Sequence, residues 1–72
     1  MPNYLKAAQA LGVKGSEVKD MAELIESYDQ TTGALAKKQM ILALENMMKQ
    51  RKYMNPYKRE TMLEILKKEG IA

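Results

Sequence analysis

The side chains with the most chemical reach lie together in KQRKYMNPYKR, residues 49–59, where Lys49, Arg51, Lys52, Lys58 and Arg59 surround Tyr53 and Tyr57. Arginine and lysine neutralise phosphates, and phenol rings stack on unpaired bases. Asn55-Pro56 reads as a helix cap followed by a first helical residue, which would present backbone N–H groups to an anion. This set suits contact with a DNA or RNA backbone with little base discrimination. The commoner use of such residues is a solvated helix corner, with the tyrosine rings packed inward and their hydroxyls in water.

Nothing else in the chain assembles a reactive centre. There is no His, no Cys and no Trp, which removes the side chains behind most acid-base chemistry near neutral pH and most thiol and soft-metal chemistry. Glu17, Asp20, Glu23 and Glu26 recur every third residue, but that spacing drifts around a helix and reads as a solvated face. Ser16 has no candidate base, and Gly12-Val13-Lys14-Gly15-Ser16 lacks the full pattern of a phosphate-binding loop. No calcium-loop spacing occurs. The residues point to a non-enzymatic binding module, with no cofactor, metal or small-molecule substrate expected.

Methionine supplies a second candidate surface. Of seven methionines, Met40, Met47, Met48, Met54 and Met62 fall in the second half. Flexible thioethers fill irregular cores or line adaptable partner surfaces. Short helices have difficulty enclosing every apolar side chain between Met40 and Met48, so an exposed strip of Met40, Leu44, Met47 and Met48 is expected to bind a partner helix or a second copy.

The elements that must position these residues are bounded by size. Seventy-two residues with neither disulfide nor zinc staple sit near the length at which one apolar core is just sufficient, so each helix has to contribute to it. The net charge of +3 conceals an asymmetry: residues 1–30 carry three lysines against five carboxylates, and residues 31–72 carry nine basic side chains against four acidic ones. A polyanion would be met by the second half. The other reading is an acidic helix beside a basic one within the same fold. Without cysteine, a basic leader or about 18 consecutive apolar residues, the chain is expected to be cytoplasmic and to make no membrane contact. Its size and style resemble those of bacterial and phage accessory factors.

Helix signals recur along the chain. Asn3 caps a first helix ending before Gly12, with Leu5, Ala8 and Leu11 on its apolar face. Ser16 caps a second, whose inward positions are Val18, Met21, Leu24, Ile25 and Tyr28. After the polar breaker Asp29–Gly33, Thr32 caps a long helix from about Gly33 to Tyr53, apolar around almost its whole circumference at Met40–Leu44 and therefore in need of neighbours on more than one side. Asn55-Pro56 starts a fourth helix with Met62, Leu63, Ile65 and Leu66 inward, Lys67 and Lys68 near its negative end and Gly70 beyond it. Leu63–Ile71 faintly echoes Leu5–Val13.

Leu11-Gly12-Val13-Lys14 followed by Ala22-Glu23-Leu24-Ile25 resembles the helix-extended-loop-helix group, which includes SAP-type modules and the N-terminal domain of the transcription terminator Rho. The resemblance spans residues 5–28, about a third of the chain. It implies DNA or RNA binding through the loop and the start of the second helix, hence through Lys14 and Lys19. The chain departs from the group where such members often place several lysines: Ser16-Glu17-Val18-Lys19-Asp20 sets Glu17 and Asp20 against those two cations.

Together these readings predict an all-α single domain over residues 1–72, a bundle of four short helices in which an N-terminal helix-loop-helix packs on a longer central helix. The function expected is a nucleic-acid-associated accessory or regulatory module contacting phosphate backbone. The alternative is a small protein adaptor or inhibitor acting through the methionine-rich helix, with a protein partner or a homodimer.

Overall fold

A computed structural model describes residues 1–50 and 59–72 and bears out the all-helical architecture. The element order is α1 (Tyr4–Ala10), a 3-10 turn (Gly15–Glu17), α2 (Val18–Asp29), α3 (Ala34–Gln50) and α4 (Arg59–Lys68), with no strand among the described residues. Asn3 starts α1 as its residue type suggests: its side-chain Oδ1 accepts the Lys6 N–H at 3.0 Å.

Two helices stop by the same device, which gives the echo between their sequences a physical cause. Gly12 and Gly70 both take φ +80°, a left-handed conformation that a Cβ would disfavour. After α4, Ile71 N–H donates to Leu66 C=O at 2.8 Å and Gly70 N–H to Lys67 C=O at 3.0 Å, the pair of bonds that satisfies the last carbonyls of a helix ending in this way. After α1, Gly12 N–H donates to Gln9 C=O at 3.0 Å. In each case the next residue turns back into the interior, and Val13 and Ile71 are both buried. The end of α4 is then tied to the start of α1, because Asn3 N–H donates to the Glu69 carbonyl at 3.2 Å.

Three local expectations need correcting. Ser16 does not cap α2: it lies inside the 3-10 turn, and Glu17 occupies the cap position without a side-chain cap bond. Gly33, rather than Thr32, stands at the cap of α3, since Lys37 N–H donates to the Gly33 carbonyl at 3.4 Å. Leu5 is exposed, and the inner face of α1 is Ala7, Ala8 and Leu11. Small alanines let α1 approach α2 closely, and turning that face inward rotates Leu5 into solvent. The expected Asn55-Pro56 start of the fourth helix and the Tyr53 end of the third lie outside the described residues.

The core is one cluster organised around α3. Met40, Ile41, Leu44 and Met48 are buried on it, against Met21 and Ile25 from α2 and Met62 and Leu66 from α4. Helix α3 packs on both α2 and α4, while α1 packs mainly on α2. Leu24, Tyr28, Leu63 and Ile65 close the edges as partly buried neighbours. No described helix is long and apolar enough to cross a membrane.

A polar bond fastens the hairpin. The Tyr4 hydroxyl donates to Asp29 Oδ2 at 2.6 Å, joining the first residue of α1 to the last of α2. That bond, assisted by partial desolvation and the negative charges of Asp29 and Glu26, pushes the phenol up from its ordinary 10.0 to about 12. The phenol is thus more acidic in the unfolded chain than in the folded one. The contact contributes its full stability below pH 10 and loses it progressively as pH rises through about 12.

Substitutions at the glycines and at Tyr4 separate these devices. Gly70→Ala should destabilise by about 1–2 kcal/mol, the cost of a left-handed alanine, because the added Cβ meets nothing closer than Pro2 Cα at 3.9 Å. Gly15→Ala, with no atom within 4 Å of the new Cβ and no positive φ, should be neutral or slightly stabilising; urea melts of both variants measure the contrast. Tyr4→Phe should lower the melting temperature at neutral pH, and the gap from the parent protein should close between pH 10 and 12. A gap that persists unchanged above pH 12 would contradict the Tyr4–Asp29 assignment.

Candidate functional site

Helix α3 is covered on two sides and open on a third. Lys38, Leu42 and Lys49 stand at helical spacing along the open sector, with Leu35 one turn before Lys38, and all four are exposed. Leu35 and Leu42 keep 68% and 55% of their surface in solvent and lie two turns apart on one face of α3.

Helix α4 runs back along one edge of this sector. Arg59 Nε contacts Glu45 Oε1 at 3.1 Å. Leu63, one turn further along α4, shares a groove wall with Ile41, one turn earlier on α3. The two helices therefore run in opposite directions and leave between them a groove of about 310 Å³, lined by Lys37, Lys38, Ile41, Leu42, Arg59 and Leu63. Among the described residues the lining combines aliphatic side chains (Ile41, Leu42, Leu63) with cationic ones (Lys37, Lys38, Arg59). The Arg59–Glu45 pair is solvent-screened, with the two side chains 60% and 38% exposed. A pair this exposed contributes little to stability, and it places the guanidinium beside the groove.

The structure distributes the expected site residues unevenly. Lys49 is exposed in the last turn of α3, and Arg59 is exposed at the start of α4. Arg51, Lys52, Tyr53, Tyr57 and Lys58 lie outside the described residues. Lys14 and Lys19 are exposed on the α1–α2 hairpin rather than on α3 or α4. Lys19 shares a concavity of about 630 Å³ with Glu23, Glu26, Tyr4, Leu5 and Ala22, so its charge sits among carboxylates.

The methionine surface is corrected. Met40, Leu44 and Met48 are 2%, 0% and 1% exposed, and Met47 is half-buried against the core. Helices α2 and α4 pack on α3 and bury Met40, Leu44 and Met48, leaving Met47 partly exposed. The premise that short helices cannot enclose this segment holds, but the side chain left out is Leu42, joined by Leu35 one turn before the apolar stretch.

Lys37, Lys38, Leu35 and Leu42 are the residues that a search for linear charge density misses. The signal was periodic: Lys38, Leu42 and Lys49 fall on one helical face, though only the fold reveals that this face is left uncovered. Chemically, the site can hold an anion beside an apolar group. Among the described residues, no three acidic side chains converge as a metal site would require.

Removing the carboxylate next to the rim should leave the fold intact. Glu45→Gln should change stability by less than about 1 kcal/mol, a melting shift of a few degrees at this size, checked by a thermal melt followed by circular dichroism. A larger loss would mean that the pair holds α3 and α4 together. Comparison with protein-family models, with curated proteins and with solved structures yields no match for this chain.

Proposed function

We propose that this chain is a non-enzymatic binding module that contacts the phosphate backbone of DNA or RNA through the α3–α4 face. The observation that carries this reading is the convergence of Lys37, Lys38 and Arg59 on one groove, with Lys49 further along α3. The acidic side chains Glu23 and Glu26 line a different concavity, on the α1–α2 hairpin. The lining of the α3–α4 groove is cationic while that of the hairpin concavity mixes Lys19 with two carboxylates, a difference that favours a polyanion at the groove. The basic run Lys49–Arg59 extends the same charge in sequence. The likeness of residues 5–28 to the helix-extended-loop-helix group would instead place contact at Lys14 and Lys19 on the hairpin, a surface this reading does not use.

A second reading is supported by Leu35 and Leu42. Two exposed leucines at helical spacing suit an apolar stripe from a partner protein, in the manner of a small adaptor or inhibitor. Salt separates the two readings, since phosphate contacts weaken steeply as counterions compete and apolar contacts do not.

Fluorescence anisotropy of labelled DNA and RNA, titrated with the protein at several salt concentrations, is the test. Affinity should fall steeply with salt. Combined Lys37→Glu, Lys38→Glu and Lys49→Glu replacement should weaken binding by at least about tenfold and flatten the salt slope, by about 0.7–0.9 for each phosphate that is no longer neutralised. Unchanged affinity and slope in that variant would overturn the proposal.

A further inference from the structure

We infer that the α3–α4 groove receives an unstacked base, so that the module prefers single-stranded to double-stranded nucleic acid; this rests on the phosphate-binding reading above and specifies its substrate. A ligand recognised only through its phosphates needs cations on a surface and nothing more. Here the cations Lys37, Lys38 and Arg59 stand around a floor of Ile41, Leu42 and Leu63, and Leu42 keeps 55% of its surface in water. The groove's volume of about 310 Å³ lies at the small end of the range for concave ligand sites, about 300–1,000 Å³.

Duplex and single strand meet this groove differently. A duplex presents charged, hydrated backbone and keeps its base faces stacked inside, so the aliphatic floor would stay wet beneath it. A single strand offers a phosphate and an unpaired base within one nucleotide. The phosphate is matched by the lysines at the rim, and the base face covers Leu42 and Leu63. Apolar burial and charge neutralisation then add within one site. Arg59 contributes a planar guanidinium, a surface on which bases stack, and its bond to Glu45 at 3.1 Å positions it at the groove edge. Ile41, Leu42 and Leu63 contact a base face through aliphatic carbon, which discriminates little among bases.

The test uses the protein, one labelled DNA oligonucleotide and the duplex formed with its complement, compared by anisotropy at the same salt. The single strand should bind about tenfold more tightly than the duplex. Leu42→Ser, which leaves every charge in place and alters an exposed side chain, should reduce single-strand affinity several-fold more than duplex affinity. Leu42→Phe should move single-strand affinity in the opposite direction, since a ring stacks on a base where an aliphatic chain only touches it. Circular dichroism melts confirm that both variants fold. Equal affinity for the two forms, with dependence on Lys37 and Lys38 retained, overturns this inference and leaves phosphate binding standing. Weakening of single-strand and duplex affinity to the same extent in Leu42→Ser has the same meaning. No binding to either form removes both readings.

Discussion

Covering α3 is the constraint on which the rest of the molecule depends, because this helix is apolar around most of its middle and the chain has few elements with which to bury it. Met40, Ile41, Leu44 and Met48 are enclosed only because α2 approaches from one side and α4 from another. In a domain of this size, without cysteine or histidine, no disulfide or Cys/His zinc staple substitutes for that packing. Other features serve it. The bond from Tyr4 to Asp29 fastens the hairpin that supplies α2, and the bond from Asn3 to the Glu69 carbonyl closes the end of α4 against the start of α1. The left-handed glycines at 12 and 70 return Val13 and Ile71 to the interior.

The candidate site lies where that cover ends. Two packing partners leave a third sector of α3 in solvent, and Leu35, Lys38, Leu42 and Lys49 occupy it. The groove beside α4 results from the same geometry, since helices meeting along a buried seam diverge at its outer edge, where Lys37, Lys38 and Arg59 stand. Site and core are thus two faces of one helix. Substitutions at Leu42 and Lys38 probe binding, whereas substitutions at Met40 and Leu44 probe folding.

What the sequence made legible was local. Asn3 as a cap, Gly12 and Gly70 as stops, and the inward positions Met62 and Leu66 follow from backbone chemistry and helical periodicity, and they stand as expected. Ser16 and Thr32 misled because several residues in a polar turn can serve as cap, and the choice is made by how the following helix must enter the core. Leu5 misled because the close packing of Ala7 and Ala8 decided the inner face of α1 against hydrophobicity alone. The methionine strip misled for the complementary reason: periodicity shows that a helix is apolar on several sides, but which side lacks a neighbour is a property of the assembled fold. Linear charge density drew attention to residues 49–59, of which the described lining of the groove includes Arg59, and missed Lys37 and Lys38 toward the other end of α3.

The most direct test of a binding face on the uncovered sector of α3 is amide chemical-shift mapping of isotopically labelled protein during titration with a DNA oligonucleotide. Perturbations are expected at Lys37, Lys38, Leu42, Lys49, Arg59 and Leu63, with Lys19, Glu23 and Glu26 on the far hairpin unmoved. Perturbations concentrated on the α1–α2 hairpin, or none at any oligonucleotide concentration, would contradict a binding face on α3.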